Sequence, residues 1–455
     1  MKKITSRTII CLLLALVLLG GLGFFTFNFV RDGADWAMFP SNRHLYNKDG
    51  NLKAGRVLDC NGKVLCESGE DGWKYYQGNS DIRKATLHTV GLPDGAIASG
   101  AITRFADKLC GYNIVTGAES ILPLGRDLHM TIDADVCATA YKALGSHRGC
   151  VGVYNYVTGE VICMVSTPTF DPANPPNIAE GDSRYDGVYI NRLLSAKFAP
   201  GSTFKLLTAA AALENIENVQ ERTYECTGNR KIGDMVITCP HNHGTEDFER
   251  ALNQSCNCYF GQLAAELGSD IMNDYVKKAG LTESYSVSGI NTKPSTFNFD
   301  TDDGALAWSG IGQGEDLVNP CALMVYMGAI GRGGYAAVPQ LVEYTSFTDS
   351  YMTSFYFVHN TGRMIQESTA AVMQQLMRSN VVNYYGTGNF PGLNICAKSG
   401  TAQLDSQQTE NAWFAGFLQD EDHPYAFVVL VEEGGSGKDA AGSVANKVLQ
   451  AAVKD

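Results

Sequence analysis

The chain has 455 residues, 45% hydrophobic and 18% charged, a balance that supports a substantial buried core in one large domain or two to three modest ones. Its formal net charge of −13 argues against a DNA or RNA partner, because phosphate binding requires clustered Lys and Arg, and no run of like charge stands out. No internal repeat or low-complexity tract is present.

Thr8 to Val30 is almost wholly apolar and uncharged. As a helix it is long enough to cross a hydrocarbon core of roughly 30 Å. Lys2, Lys3 and Arg7 precede it, so the positive-inside rule places the first residues in the cytoplasm and everything after Val30 outside. A cleaved signal would be shorter and end in small residues, whereas this run ends in Phe24-Phe25-Thr26-Phe27-Asn28-Phe29. A retained single-pass anchor is therefore expected. Of thirteen cysteines, Cys11 lies in the anchor and twelve lie outside, where disulfides are permitted. Cys226 with Cys239 is the best pair and Cys60 with Cys66 a weaker one. In an organism living without oxygen all would stay thiols.

Residues 32–125 read as a small, mostly β or irregular stalk module behind an anchor spanning 1–31. Val151–Tyr156 and Glu160–Val165 flank the turn signal Val157-Thr158-Gly159 and predict a hairpin. A polar loop, Pro168 to Arg184, follows. Thr203 to Glu214 is apolar on most sides and predicts a buried helix. Asn394–Ala402, Ala412–Leu418 and Tyr425–Glu432 predict three more strands, and Ala440–Val453 a closing helix. Two early strands and three late ones imply one antiparallel five-stranded sheet flanked by helices, an α+β layer architecture over residues 126–455.

Three short motifs could carry chemistry. In Phe198-Ala199-Pro200-Gly201-Ser202-Thr203-Phe204-Lys205, a helix begins near Ser202, and residues three apart share a face, so Ser202 Oγ and Lys205 Nζ can meet. A serine hydroxyl needs a base to become a nucleophile. Lysine serves only when neutral, and burial lowers its pKa. In Ser255-Cys256-Asn257 a hydroxyl and an amide can point together from a loop between helices, as proton relay and substrate-carbonyl donor. In Lys398-Ser399-Gly400-Thr401-Ala402, on a strand, alternation separates Lys398 and Gly400 from Ser399 and Thr401. Gly400 leaves room for a substrate backbone. Each motif alone is weak; the ordered set is that of the β-lactamases and penicillin-binding proteins.

The exported chain resembles a class B, monofunctional penicillin-binding protein. Gly55-Arg56-Val57-Leu58-Asp59-Cys60-Asn61-Gly62 is similar to that class's N-terminal motif, with Cys60 where the family usually has arginine, which puts the local salt bridging in doubt. Leu128-His129-Met130-Thr131-Ile132-Asp133, Thr169-Phe170-Asp171-Pro172, Asn191-Arg192, His243-Gly244, Gly310-Ile311-Gly312-Gln313-Gly314, Asn319-Pro320 and Gly386-Thr387-Gly388 match further family landmarks. The resemblance implies a peptidoglycan D,D-transpeptidase that cross-links stem peptides through a serine acyl-enzyme and is acylated by β-lactams. It implies Ser202 as nucleophile, Lys205 as base, Ser255 as relay and Lys398 as a tuning cation. Asn257, Ser399, Gly400 and Thr401 would bind substrate, and the backbone N–H groups of Ser202 and Thr401 would form the oxyanion hole. No metal or organic cofactor is expected. A polytopic membrane glycosyltransferase is the expected partner, since residues 32–125 are too few for a polymerase domain.

The rivals are a D,D-carboxypeptidase with the same catalytic residues, a β-lactamase, and a non-catalytic β-lactam sensor or scaffold. Glu249-x-x-Leu252-Asn253 mimics a deacylating glutamate motif but runs directly into the Ser255 element, so Glu249 reads as helix surface. Cys239-x-His241-x-His243, with Cys226 upstream, could bind zinc. Ligands two apart in extended chain are unusual, and His243 reads as a structural residue near the active-site rim.

Overall fold

The two-residue alternation of buried side chains fixes how the sheet is sandwiched. In the computed structural model, which describes residues 2–38, 53–112, 125–299, 302–347, 351–355, 357–404 and 409–454, five antiparallel strands lie in the order Ile395–Leu404, Thr409–Leu418, Tyr425–Val431, Gly149–Asn155 and Val161–Thr167. Ala415 opposes Val428, which opposes Gly152. A side chain at Gly152 would run into Met324 of the helix Pro320–Gly331, so this row faces that helix. One residue along, Phe414, Val429 and Val151 form a row facing the other way, where Phe414 meets Gly442 of the closing helix Gly442–Ala452. Both rows are buried, which is why these strands read as continuous apolar runs. Each such Val, Leu or Phe contributes about 1.5–3 kcal/mol by leaving water. The hairpin, the three late strands and the closing helix all lie where the sequence places them, within a few residues.

A second sheet orders Tyr351–Phe355, Val342–Phe347, Arg126–Met130, Arg56–Leu58, Val64–Gly69 and Gly72–Tyr75. It runs across position 125: Arg56–Leu58 pairs in parallel with Arg126–Met130. Arg56 grips Asp127 with two guanidinium nitrogens, Nη2 at 2.6 Å from Oδ2 and Nε at 3.1 Å from Oδ1. Asp59, almost fully buried, accepts the backbone N–H groups of Asn61, Lys63 and Ala134. Local salt bridging is thus carried by Arg56, and by Lys63 with Asp135, while Cys60 is exposed. Arg83 makes a second fork, to Asp171, at 2.6 and 2.7 Å. The 53–112 segment is therefore clamped to the layered domain.

Lys2–Ala37 forms one helix, and Ser6–Ala34 within it is long and apolar enough to cross a membrane. Its Leu side chains and Phe24, Phe25 and Phe27 are exposed, as they would be toward lipid. All cysteines are free. This overturns both expected disulfides: Cys60 is exposed on a turn whereas Cys66 is buried in a strand, and the Cys226 and Cys239 sulfurs stand 3.8 Å apart, well beyond an S–S bond.

Candidate active site

Pro200 and Gly201 end the extended segment that leads into the Ser202 turn. Ser202 lies in a single 3₁₀ turn, Gly201–Thr203, which runs into the helix Lys205–Asn215. Gly201 has φ of +54°, and a Cβ there would sit 2.5 Å from the carbonyl oxygen of Thr401. Only glycine lets this turn press against the edge strand. Gly201 N–H donates to Gly312 O at 2.9 Å, and Trp413 Nε1 donates to Ala199 O at 2.9 Å, so the turn is pinned on two sides.

Lys205 is completely buried. Its Nζ lies 2.9 Å from Ser202 Oγ, 3.1 Å from Ser255 Oγ, 2.7 Å from Ser255 O and 2.6 Å from Asn257 Oδ1. The last two are pure acceptors, and the Asn257 amide is oriented because its Nδ2 donates to Thr238 O at 2.7 Å. A neutral amine would spend its two N–H bonds on these oxygens, leaving its lone pair for the hydroxyls of Ser202 and Ser255. Burial lowers its pKa to about 8, against the opposing pull of nearby thiols. The site thus holds a lysine that can accept a proton.

Ser255 occupies the left-handed region at φ +56° between the helices Phe248–Asn253 and Asn257–Lys278. Cys256 N–H bonds Ala251 O and Ser255 N–H bonds Leu252 O, the paired pattern in which a helix ends on a left-handed residue. That position usually takes glycine; a serine here accepts strain of about 1–2 kcal/mol to keep its hydroxyl. Lys398, also buried, reaches the same Oγ at 3.0 Å. Its pKa is pushed well below the ordinary lysine value, by burial and then by Lys205.

The strand bearing Lys398 is the edge of the five-stranded sheet. Ser399 sends its N–H out of the sheet to Tyr385 Oη at 2.8 Å, and antiparallel alternation turns the Thr401 N–H to the same free edge, facing the Ser202 turn. Ser202, Ser255, Asn257, Gln313, Ser399 and Thr401 line one cleft of about 860 Å³. The eight residues named by the motifs therefore converge, Lys398 from beneath and Gly400 packed on Pro200. Glu249 is away from the cleft and accepts from Ser379 Oγ.

Sequence reasoning missed Tyr385, whose hydroxyl also donates to Ser399 Oγ at 3.0 Å, although it directly precedes the Gly386-Thr387-Gly388 landmark. It missed Gln313 Nε2 bonding Thr401 O at 3.3 Å as well. Among the described residues one group could hold a metal ion: Cys226, Cys239, His243 and Cys256. His241 lies on the cleft wall instead.

The penicillin-binding protein transpeptidase domain profile matches residues 149–454. The peptidoglycan D,D-transpeptidase PbpA of Mycolicibacterium smegmatis is 28% identical over 375 residues, 77% of this chain and 75% of that protein. The D,D-transpeptidase domain of a peptidoglycan glycosyltransferase from Eggerthella lenta superposes with a TM-score of 0.75 at 24% identity, covering 88% of this chain and 98% of that one. Penicillin-binding protein A of M. tuberculosis, as a ceftriaxone acyl-enzyme complex, gives 0.73 at 21% identity over 88% and 98%. With the profile spanning most of the chain and the fold shared over 88% of it, the chain belongs to the penicillin-binding protein transpeptidase family.

Proposed function

We infer that the chain is a peptidoglycan D,D-transpeptidase, as its mycolicibacterial relative is named. The observation that carries this is the Ser202–Lys205 contact of 2.9 Å beside the edge strand of the five-stranded sheet. Lys205 takes the Ser202 proton as Oγ attacks the D-Ala–D-Ala carbonyl. The developing oxyanion is met by the backbone N–H groups of Ser202 and Thr401. The proton passes through Ser255 to the departing D-Ala amine, and an ester remains on Ser202. An amine from a second stem peptide attacks that ester, gives up its proton along the same route and restores the serine. Asn257 binds the substrate amide, Ser399 contacts substrate and Thr401 holds the terminal carboxylate, Gly400 lets the strand press against the Ser202 turn, where a side chain would meet Pro200 and Thr203, and Lys398 tunes the site through Ser255 Oγ. β-Lactams acylate the same oxygen.

Residues 126–455 do this chemistry outside the cytoplasmic membrane, oriented by Lys2, Lys3 and Arg7 at the inner end of the anchor. Residues 8–125 engage a polytopic membrane glycosyltransferase that supplies glycan strands. A fluorescent penicillin followed by peptide mass spectrometry tests the assignment: the label maps to Ser202 and vanishes in a folded Ser202→Ala variant. Label retained on that variant would refute it. With a stem peptide and an acceptor amine the wild-type chain yields the cross-linked dimer; release of D-Ala alone would mean a carboxypeptidase.

A further inference from the structure

We propose that Cys226, Cys239, Cys256 and His243 form a structural zinc site that fixes the loop carrying Ser255 and Asn257. Three separate elements bring these residues together: the strand Tyr224–Cys226, the chain following Met235–Thr238, and the start of the helix Asn257–Lys278. Their ligand atoms all lie within 4.8 Å of one another.

Three of the six separations among the ligand atoms are those of a metal rather than a disulfide. A tetrahedral zinc with Zn–S bonds of about 2.3 Å separates its thiolates by about 3.8 Å, and a thiolate from an imidazole nitrogen by about 3.5 Å. The sulfur of Cys239 is 3.8 Å from that of Cys226 and 3.7 Å from that of Cys256, and Cys226 Sγ is 3.5 Å from His243 Nδ1. The Cys239 sulfur also accepts the backbone N–H groups of Asn257 and Cys258, at 3.2 and 3.3 Å, and that of Cys256 accepts Tyr259 N–H at 3.4 Å. Such bonds support anionic sulfur. A second observation concerns Glu246, fully buried with no hydrogen-bond partner for either carboxylate oxygen and 3.9 Å from His243. A buried carboxylate beside thiols calls for positive charge, which a divalent ion supplies. Three cysteines and one histidine make a closed site, without an open position for chemistry.

Cys256 is the middle residue between Ser255 and Asn257. A metal on its sulfur would hold Ser255 in its left-handed conformation and keep Asn257 Oδ1 on Lys205. The metal site rests on the geometry of these side chains; only its effect on acylation rests on the transpeptidase reading. Cys258, its sulfur 3.5 Å from that of Cys239, is not part of the four.

The full chain, purified in detergent under reducing conditions without chelator, is assayed by elemental analysis. About one zinc per chain is expected. Chelation followed by cobalt(II) should give the absorption of tetrahedral thiolate-bound cobalt. Chelation should also lower the melting temperature and slow acylation by a fluorescent penicillin roughly tenfold or more, both restored by zinc. Cys226→Ser and His243→Ala should lose zinc, and Cys258→Ser should retain it. Should those two fail to fold, the cobalt spectrum of the wild-type chain decides. Zinc-free protein that still reacts with penicillin and takes up no tetrahedral cobalt, or a Cys226–Cys239 disulfide in the active protein, would overturn the site. Metal bound without any effect on acylation would refute the loop-fixing role alone.

Discussion

Lys205 and Lys398, both out of solvent, donate to one acceptor, the Oγ of Ser255, at 3.1 and 3.0 Å. Two ammonium groups on one buried hydroxyl repel each other, so the pair readily holds one proton fewer than two free lysines would. The pairing thereby makes a lysine amine easier to deprotonate.

The first consequence is a pH profile. Lys205 accepts the Ser202 proton only when neutral, and its pKa is lowered to about 8. Below that value the neutral fraction falls about tenfold per pH unit, so acylation slows toward acid and levels off above it. Stopped-flow rates of penicillin acylation should show this limb. A flat profile from about pH 6 to 8 would remove Lys205 as the base.

Lys205→Arg gives the same test without titration, since guanidinium stays protonated. The charge survives and the base is lost, so acylation should drop by about two to four orders of magnitude. Near wild-type labelling of this variant would exclude the role.

Gly312 determines how closely the nucleophile turn can lie. Its φ is +81°, and a Cβ there would be 2.0 Å from the carbonyl oxygen of Gly201. Gly312→Ala should destabilise the protein by about 2–3 kcal/mol and shift the Ser202 turn off the edge strand. Thermal melting and penicillin labelling should both fall; an unchanged melting temperature would show that the turn can move freely.

Tyr385 is buried, and its hydroxyl joins the backbone N–H and the side chain of Ser399. Tyr385→Phe should leave that N–H short of a partner, costing about 1–3 kcal/mol, and slow acylation without changing its pH limb. A shifted limb would mean that Tyr385 takes part in proton transfer.

A Cβ at Gly20, Gly21 or Gly23 would meet nothing within 4 Å beyond its own helix, which leaves these small residues open to another membrane helix. Replacing all three with leucine should leave penicillin labelling intact and weaken co-purification with a membrane glycosyltransferase from detergent extracts. Unchanged recovery, both here and after exchange of residues 32–125 for an unrelated spacer, would dissociate the anchor and stalk from polymerase binding.

The sequence by itself determined the sheet's five strands, the anchor and the motif residues that meet at the cleft. Those features are local: apolar runs of strand length, an uncharged span of membrane length, and a serine three residues from a lysine at a helix start. What only the tertiary structure decided was which distant groups share a site. Sequence spacing brings Ser202 to Lys205, yet it is packing that brings Ser255 from fifty residues on and Lys398 from the far edge strand to the same amine. The second sheet was hidden because its partners, Arg56–Leu58 and Val342–Phe347, flank Arg126–Met130 from opposite ends of the chain. The cysteines are the sharpest case. Cys226 and Cys239 looked like a disulfide because a turn-like stretch lies between them, and linear spacing did not link Cys256 to either. Folding brought their sulfurs and a nitrogen of His243 within 4.8 Å of one another, a relation between side-chain directions that linear spacing does not encode.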